Sequence, residues 1–285
     1  MVKIKIMNRA DIKFAKTMTD AEGWGYLRDD FRRLVSYEPD GCFVAWENRA
    51  RVGIITTTSY RDYAFVGSLI VEKAKRGKGI GKMLLSHAVE YLRVKGVRTI
   101  ELDGVFPAVV LYRRMGFKDK YLSLRFLKRA EKGGEGGKGN KGEEGEYKTQ
   151  EVEAVVDFDR EMTGLDRERV IRRLLKDFGD VVYVIKERKK LSGYAIVRQR
   201  EGGYFLIGSW VAENRRAAEA VLSSIVERYS GRTLTVGVPE INRRAVEMVL
   251  GRGFVYSSQP SLRMFWGERI DYEKNIYGIL SPEKG

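Results

Sequence analysis

Apolar and polar positions alternate in four early stretches, residues 2–7, 42–47, 52–58 and 65–71, and that period of two predicts half-buried strands. Residues 11–35 lie between the first two stretches and carry a helical pattern. After Val71 the period changes. A charged, glycine-bearing loop leads into Ile80, Met83, Leu84, His87, Ala88, Tyr91 and Leu92, the 3.6-residue spacing of a helix with one apolar face. His87 falls on that face, which predicts a core histidine. A strand at 99–102, a helix near 109–115 and a strand at 121–127 complete an α/β (α+β) layout, a sheet flanked by helices.

The order of elements then recurs. Arg98-Thr-Ile-Glu-Leu102 returns as Arg232-Thr-Leu-Thr-Val236, and Leu111-Tyr-Arg-Arg-Met-Gly-Phe117 returns as Met248-Val-Leu-Gly-Arg-Gly-Phe254. A strand-loop-helix pattern fills residues 204–229. The same motifs in the same order predict a tandem duplication. Between the copies, residues 131–146 read EKGGEGGKGNKGEEGE, without one apolar side chain. Such a stretch has nothing to bury against its ordering entropy, so it predicts a flexible linker. The expected domains are 1–129 and 148–285, with a linker at 130–147.

Composition narrows the chemistry. The chain of 285 residues has one cysteine, Cys42, and one histidine, His87. A disulfide framework, a Cys/His zinc site and a Cys-His nucleophilic pair are therefore excluded within one chain, and no metal is expected. Carboxylates, tyrosine, lysine and backbone amides remain. No apolar run reaches the 18 residues of a membrane span, and the opening MVKIKIMNRAD reads as a first strand and not as a signal peptide, which predicts a cytoplasmic protein with no membrane partner. Residues 1–130 hold 26 Lys and Arg against 14 Asp and Glu, most of the net charge of +14. An anionic ligand would be drawn to that half.

The strongest candidate for such a ligand site is Lys75-Arg-Gly-Lys-Gly-Ile-Gly-Lys82, placed between a strand and a helix. Glycines there allow successive N–H groups and the positive end of the helix to converge on a pyrophosphate. The spacing fits neither a Walker A loop nor the dinucleotide Gly-x-Gly-x-x-Gly pattern. It does match Arg/Gln-x-x-Gly-x-Gly/Ala, as Arg76-Gly-Lys-Gly79-Ile-Gly81, and this resembles the cofactor signature of the GNAT superfamily of N-acetyltransferases. The preceding Ser68-Leu-Ile-Val71 and the later Leu111-Tyr112-Arg-Arg-Met-Gly116-Phe117 extend the resemblance across the first domain.

The resemblance implies two tandem GNAT-like domains, each a mixed, mostly antiparallel twisted sheet flanked by helices. It implies acetyl-CoA as co-substrate and acetyl transfer to a primary amine by direct attack in a ternary complex. Leu69, Ile70 and Val71 would pair with the pantetheine arm; Arg76, Gly77, Lys78, Gly79, Ile80, Gly81 and Lys82 would hold the pyrophosphate; Tyr112 would protonate the departing thiolate. Where the family often has an asparagine seven residues before this tyrosine, the chain has Val105. A carboxylate must take the amine proton, and Asp103 and Glu101 share parity on the strand that faces the cleft. Glu22, Trp24 and Tyr26 fall where the family walls the acceptor pocket.

The second copy departs from this pattern. Trp210-Val-Ala-Glu-Asn-Arg-Arg-Ala-Ala-Glu-Ala220 has no glycine, and Val249 stands where Tyr112 stands in the first copy, although Asn242-x-x-Ala245 keeps the family's asparagine. A degenerate, noncatalytic second copy is expected. Two other functions compete: a nucleic-acid-binding module using the basic first half, against which no recognition-helix, RRM or KH pattern appears, and a noncatalytic acyl-CoA sensor.

Overall fold

The computed structural model describes residues 1–130 and 151–285; the glycine-rich stretch at 131–147 lies outside the described residues. The N-terminal half begins with β1 (Val2–Ile6), α1 (Ile12–Ala21) and α2 (Arg28–Tyr37). The helical stretch expected at 11–35 is thus two helices. Gly23 and Gly25, at φ 68° and 62°, turn the chain between them, a left-handed backbone that glycine adopts without a Cβ clash. Three long strands follow, β2 (Phe43–Glu47), β3 (Ala50–Tyr60) and β4 (Tyr63–Val71), then α3 (Ile80–Val94), β5 (Thr99–Gly104), α4 (Phe106–Arg114) and β6 (Lys118–Lys128).

The second half repeats that order as α5 (Val152–Thr163), α6 (Glu168–Phe178), β7 (Val182–Glu187), β8 (Lys190–Gln199), β9 (Phe205–Ala212), α7 (Arg215–Arg228), β10 (Leu234–Pro239) and α8 (Arg243–Gly251). It closes with β11 (Val255–Tyr256), β12 (Ser261–Gly267) and β13 (Ile276–Gly278). The duplication extends to detail: β4 and β9 each carry a serine in left-handed conformation, Ser68 at φ 51° and Ser209 at φ 46°.

The compact units are not the two sequence halves. One comprises Met1–Lys120, Leu262–Ile270 and Pro282–Gly285; the other comprises Tyr121–Ser261 and Asp271–Ser281. Most of β6 therefore leaves the N-terminal unit, and β12 enters it. In the N-terminal unit the strands run β1-β2-β3-β4-β5-β12, all neighbours antiparallel except the parallel pair β4-β5. In the other unit β6-β10-β9-β8-β7 form the sheet, with β11 on β6 and β13 on β9, and β9-β10 is its parallel pair. The boundaries expected at 129 and 148 follow the sequence copies, whereas the packing units exchange a strand.

Two layers cover the N-terminal sheet. On one face α3 and α4 pack Leu84, Ala88, Val109 and Tyr112 against Val66, Ile100 and Leu102. On the other, α1 and α2 pack Ala15, Phe31 and Leu34 against Val44, Ile54 and Ile70. His87 is not a core residue. It is exposed at the edge of α3, with its ring 4.5 Å from that of Phe43 in a T-shaped contact.

Candidate active site

In the N-terminal unit β4 and β5 pair from Tyr63–Thr99 to Val66–Leu102 and then part, although β4 runs on to Val71 and β5 to Gly104. The cause lies in β4. Its register against β3 shifts between Ile54 and Thr56, where the extra residue at Ser68 makes a bulge, and a bulge bends a strand away from its neighbour. Leu69, Ile70 and Val71 lie beyond this fork. Ser68 Oγ is buried without a hydrogen-bond partner, a donor left for a group that enters there.

The glycine loop closes the far end. Gly77 and Gly79 sit at φ 78° and 79°, and Gly79 is the N-cap of α3. The first bond inside that helix is Met83 N–H to Gly79 O at 3.0 Å, so the amides of Ile80, Gly81 and Lys82 precede it. Unspent amides at a helix start, with Lys78 and Lys82 exposed beside them, make an arrangement that can accept an anion. Arg76, itself exposed, donates from Nε to Val71 O at 2.9 Å and pairs with Glu22. The structure thus brings Glu22 to the loop's arginine.

Tyr112 stands on α4, on the α3 side of the sheet. Its ring packs tightly on residue 104: a Cβ on Gly104 would meet ring atoms at 3.0 Å, so a larger side chain there would need the ring to shift. Burial pushes the Tyr112 phenol above its ordinary range, which leaves it protonated at neutral pH, as an unperturbed phenol is.

Glu101 and Asp103 face the opposite side of β5. Glu101 is fully buried; Lys120 donates to it at 2.6 Å, Arg263 at 3.2 Å and the Tyr63 hydroxyl at 3.2 Å. Asp103 receives Arg263 Nε at 2.7 Å and Nη2 at 3.3 Å. Both carboxylates are thereby engaged by Arg263 from β12, residues that only the strand exchange brings together. On the same face Trp24 and Tyr26 belong to the α1–α2 core, with ring centroids 6.1 Å apart.

The corresponding fork in the other unit is filled. β9 and β10 pair from Phe205–Leu234 to Ile207–Val236, the equivalent last pair, and beyond it β13 pairs with Trp210 and Val211 of β9. Ile279 N–H reaches Gly237 O of β10 at 2.8 Å, so the chain bridges both arms. Asn242 holds it: the side-chain amide donates to Ile276 O at 2.9 Å while its oxygen caps α8 at Ala245 N, 3.2 Å. The asparagine kept in the second copy therefore serves the inserted strand. Ser209 Oγ is satisfied by Tyr194 at 2.8 Å, unlike Ser68.

A glycine loop at a helix start, a fork between β4 and β5 and a tyrosine on α4 agree with two family matches. Residues 12–117 match the model of the acetyltransferase (GNAT) family, and residues 155–278 match an acetyltransferase (GNAT) domain. The chain is a tandem member of the GNAT superfamily. It is similar along 268 residues to holothin acyltransferase of a Pseudoalteromonas strain, at 24% identity over 93% of this chain and 88% of that protein. A Pyrococcus horikoshii structure assigned as an acetyltransferase matches at TM-score 0.82 and 25% identity, over 100% of this chain and 96% of that one. A tandem GNAT protein from the clavulanic acid pathway shares the fold at TM-score 0.62 and 16% identity, over 95% and 100% of the two chains. This GNAT protein is accordingly an acetyltransferase by family. Among the described residues no helix is long and apolar enough to cross a membrane.

Proposed function

We propose that the N-terminal unit binds acetyl-CoA across its glycine loop and fork and transfers the acetyl group to a primary amine, and that the second unit is noncatalytic. The observation that carries this reading is the contrast between the forks: in one the Ser68 hydroxyl is orphaned and, among the described residues, no strand is inserted beside Leu69–Val71, whereas in the other Ser209 is satisfied by Tyr194 and β13 pairs with Trp210 and Val211. Acetyl-CoA supplies a thioester whose carbonyl is polarised when it hydrogen-bonds to preorganised amides. The amides of residues 80–82 hold the pyrophosphate, the edge at Leu69–Val71 aligns the pantetheine arm, and Ser68 donates into the fork. Tyr112, whose phenol is protonated at neutral pH, delivers its proton to sulfur as the C–S bond breaks.

The amine arrives from the α1–α2 side of the sheet. The full-length likeness to an acyltransferase named for holothin argues for including small-molecule amines in any acceptor screen. The test is thiol release from acetyl-CoA across small amines, polyamines and peptides, repeated with Tyr112→Phe. A thiolate leaves tolerably unaided, so the variant should lose about 10²-fold in turnover, at the lower end for a general acid, with acetyl-CoA affinity unchanged. Wild-type turnover by the variant, with chemistry rate-limiting, would remove Tyr112 from the mechanism.

A further inference from the structure

Segment Pro282–Gly285 follows the second copy in sequence but belongs to the N-terminal unit. Its backbone crosses Gly67, the first residue of β4 past the last β4–β5 pair. A Cβ at Gly67 would lie 2.7 Å from Glu283 Cα, so the glycine is what lets the segment cross the face of β4 there. Gly67, like Phe65 and Tyr63, alternates with the residues that face α3, which puts Glu283 on the α1–α2 side. Tyr26 donates to Glu283 Oε2 at 3.0 Å, Lys284 Nζ pairs with Glu283 Oε1, and Tyr60 anchors Lys284 O at 2.7 Å. The Glu283 and Lys284 side chains are both 0% exposed.

A buried ion pair is a poor way to gain stability, because the desolvation cost rivals the attraction. This pair does, however, assemble what an amine acetyltransferase needs beside its thioester: a dry carboxylate, a phenol donor and a primary ammonium. Glu101 and Asp103 on this face are engaged by Arg263, whose planar fork stays charged and binds Asp103 through two bonds, and Asp30, Asp11 and Glu22 are likewise paired with arginines. A lysine on a flexible stem is the partner that another primary ammonium can replace one for one.

We propose that Glu283 holds the ammonium of the acceptor and takes its proton, and that Lys284 occupies the acceptor's place in the present conformation. The inference rests on the transferase reading above. The acceptor displaces Lys284 Nζ and gives one proton to Glu283; its nitrogen lone pair forms the N–C bond as the C–S bond breaks. Tyr112 protonates the sulfur and recovers the second amine proton, and the proton on Glu283 leaves to solvent with the product.

The experiment measures thiol release by the full chain with benzylamine and spermidine, which are protonated at neutral pH, and with hydroxylamine, which is not. Glu283→Gln should lose on the order of 10²-fold or more with the two alkylamines, keep the hydroxylamine rate, and leave calorimetric acetyl-CoA affinity unchanged; Glu283→Asp should recover part of the loss. Equal loss with all three amines would mark Glu283 as a packing residue, and no loss would also overturn the proposal. Lys284→Gln provides a second arm that leaves the carboxylate in place: it should lower KM for the alkylamines, and an unchanged KM counts against the proposal. A wild-type protein that binds acetyl-CoA yet releases no thiol with any amine would defeat the transferase reading and this assignment together. Wild-type turnover with an indifferent Glu283→Gln defeats the assignment alone.

Discussion

Of the three glycines in the loop before α3, two are required by their backbone and one is not. Gly77 and Gly79 have positive φ, with open space where a Cβ would go, so a substitution there is strained by conformation and not by crowding. Gly81 lies inside α3, and a Cβ would make ordinary contacts with Leu111 and Val71 at 3.6 and 3.8 Å. Gly79→Val should therefore cost about 1–3 kcal/mol of local strain and reorient the first amides of the helix. Acetyl-CoA affinity should fall at least about tenfold, equivalent to about 1.4 kcal/mol, while circular dichroism stays native; Gly81→Ala should bind nearly as well as wild type. Unchanged calorimetric affinity in Gly79→Val would show that the loop does not hold the ligand. The loop and Tyr112 were legible in the sequence because both depend on local spacing. The partners of Glu101 and Asp103 were not, since Arg263 lies 160 residues beyond Asp103 and enters through another strand.

At the scale of elements, the sequence order predicts the strands of the first copy and its helical regions but not which unit a strand joins. The period-two pattern of β6 and β12 is the same whether a strand pairs within its own copy or across copies. Only the pairing partner differs: β12 takes the edge of β5, and β6 takes the edge of β10. The exchange has an electrostatic consequence. Arg263 brings to the N-terminal unit a buried cation that, with Lys120, balances Glu101 and Asp103. Arg263→Ala leaves Asp103 without that guanidinium and Glu101 with one cation fewer, and removing one member of a buried pair costs about 3–5 kcal/mol. Urea unfolding should show a midpoint lowered accordingly, and a loss within about 0.5 kcal/mol, the range of ordinary surface substitutions, would contradict the reading of this cluster as a structural tie. The split of the first helical region was also hidden, although Gly23 and Gly25 were visible and their positive φ is its physical cause.

For the molecule as a whole, duplication produced two forks from one design and then gave them different contents. The absence of glycines at 210–220 and the valine at 249 were readable in the sequence. The occupant of the second fork was not readable, because β13 is three residues long and carries no distinctive pattern. Nor was the return of Pro282–Gly285 to the N-terminal unit, which depends on a glycine more than two hundred residues earlier. The central claim is that one fork per chain receives acetyl-CoA. Isothermal titration of the full chain with CoA tests it directly: one site per chain, abolished or weakened by Gly79→Val, is the predicted result, and two equivalent sites, or one site indifferent to that substitution, would contradict it.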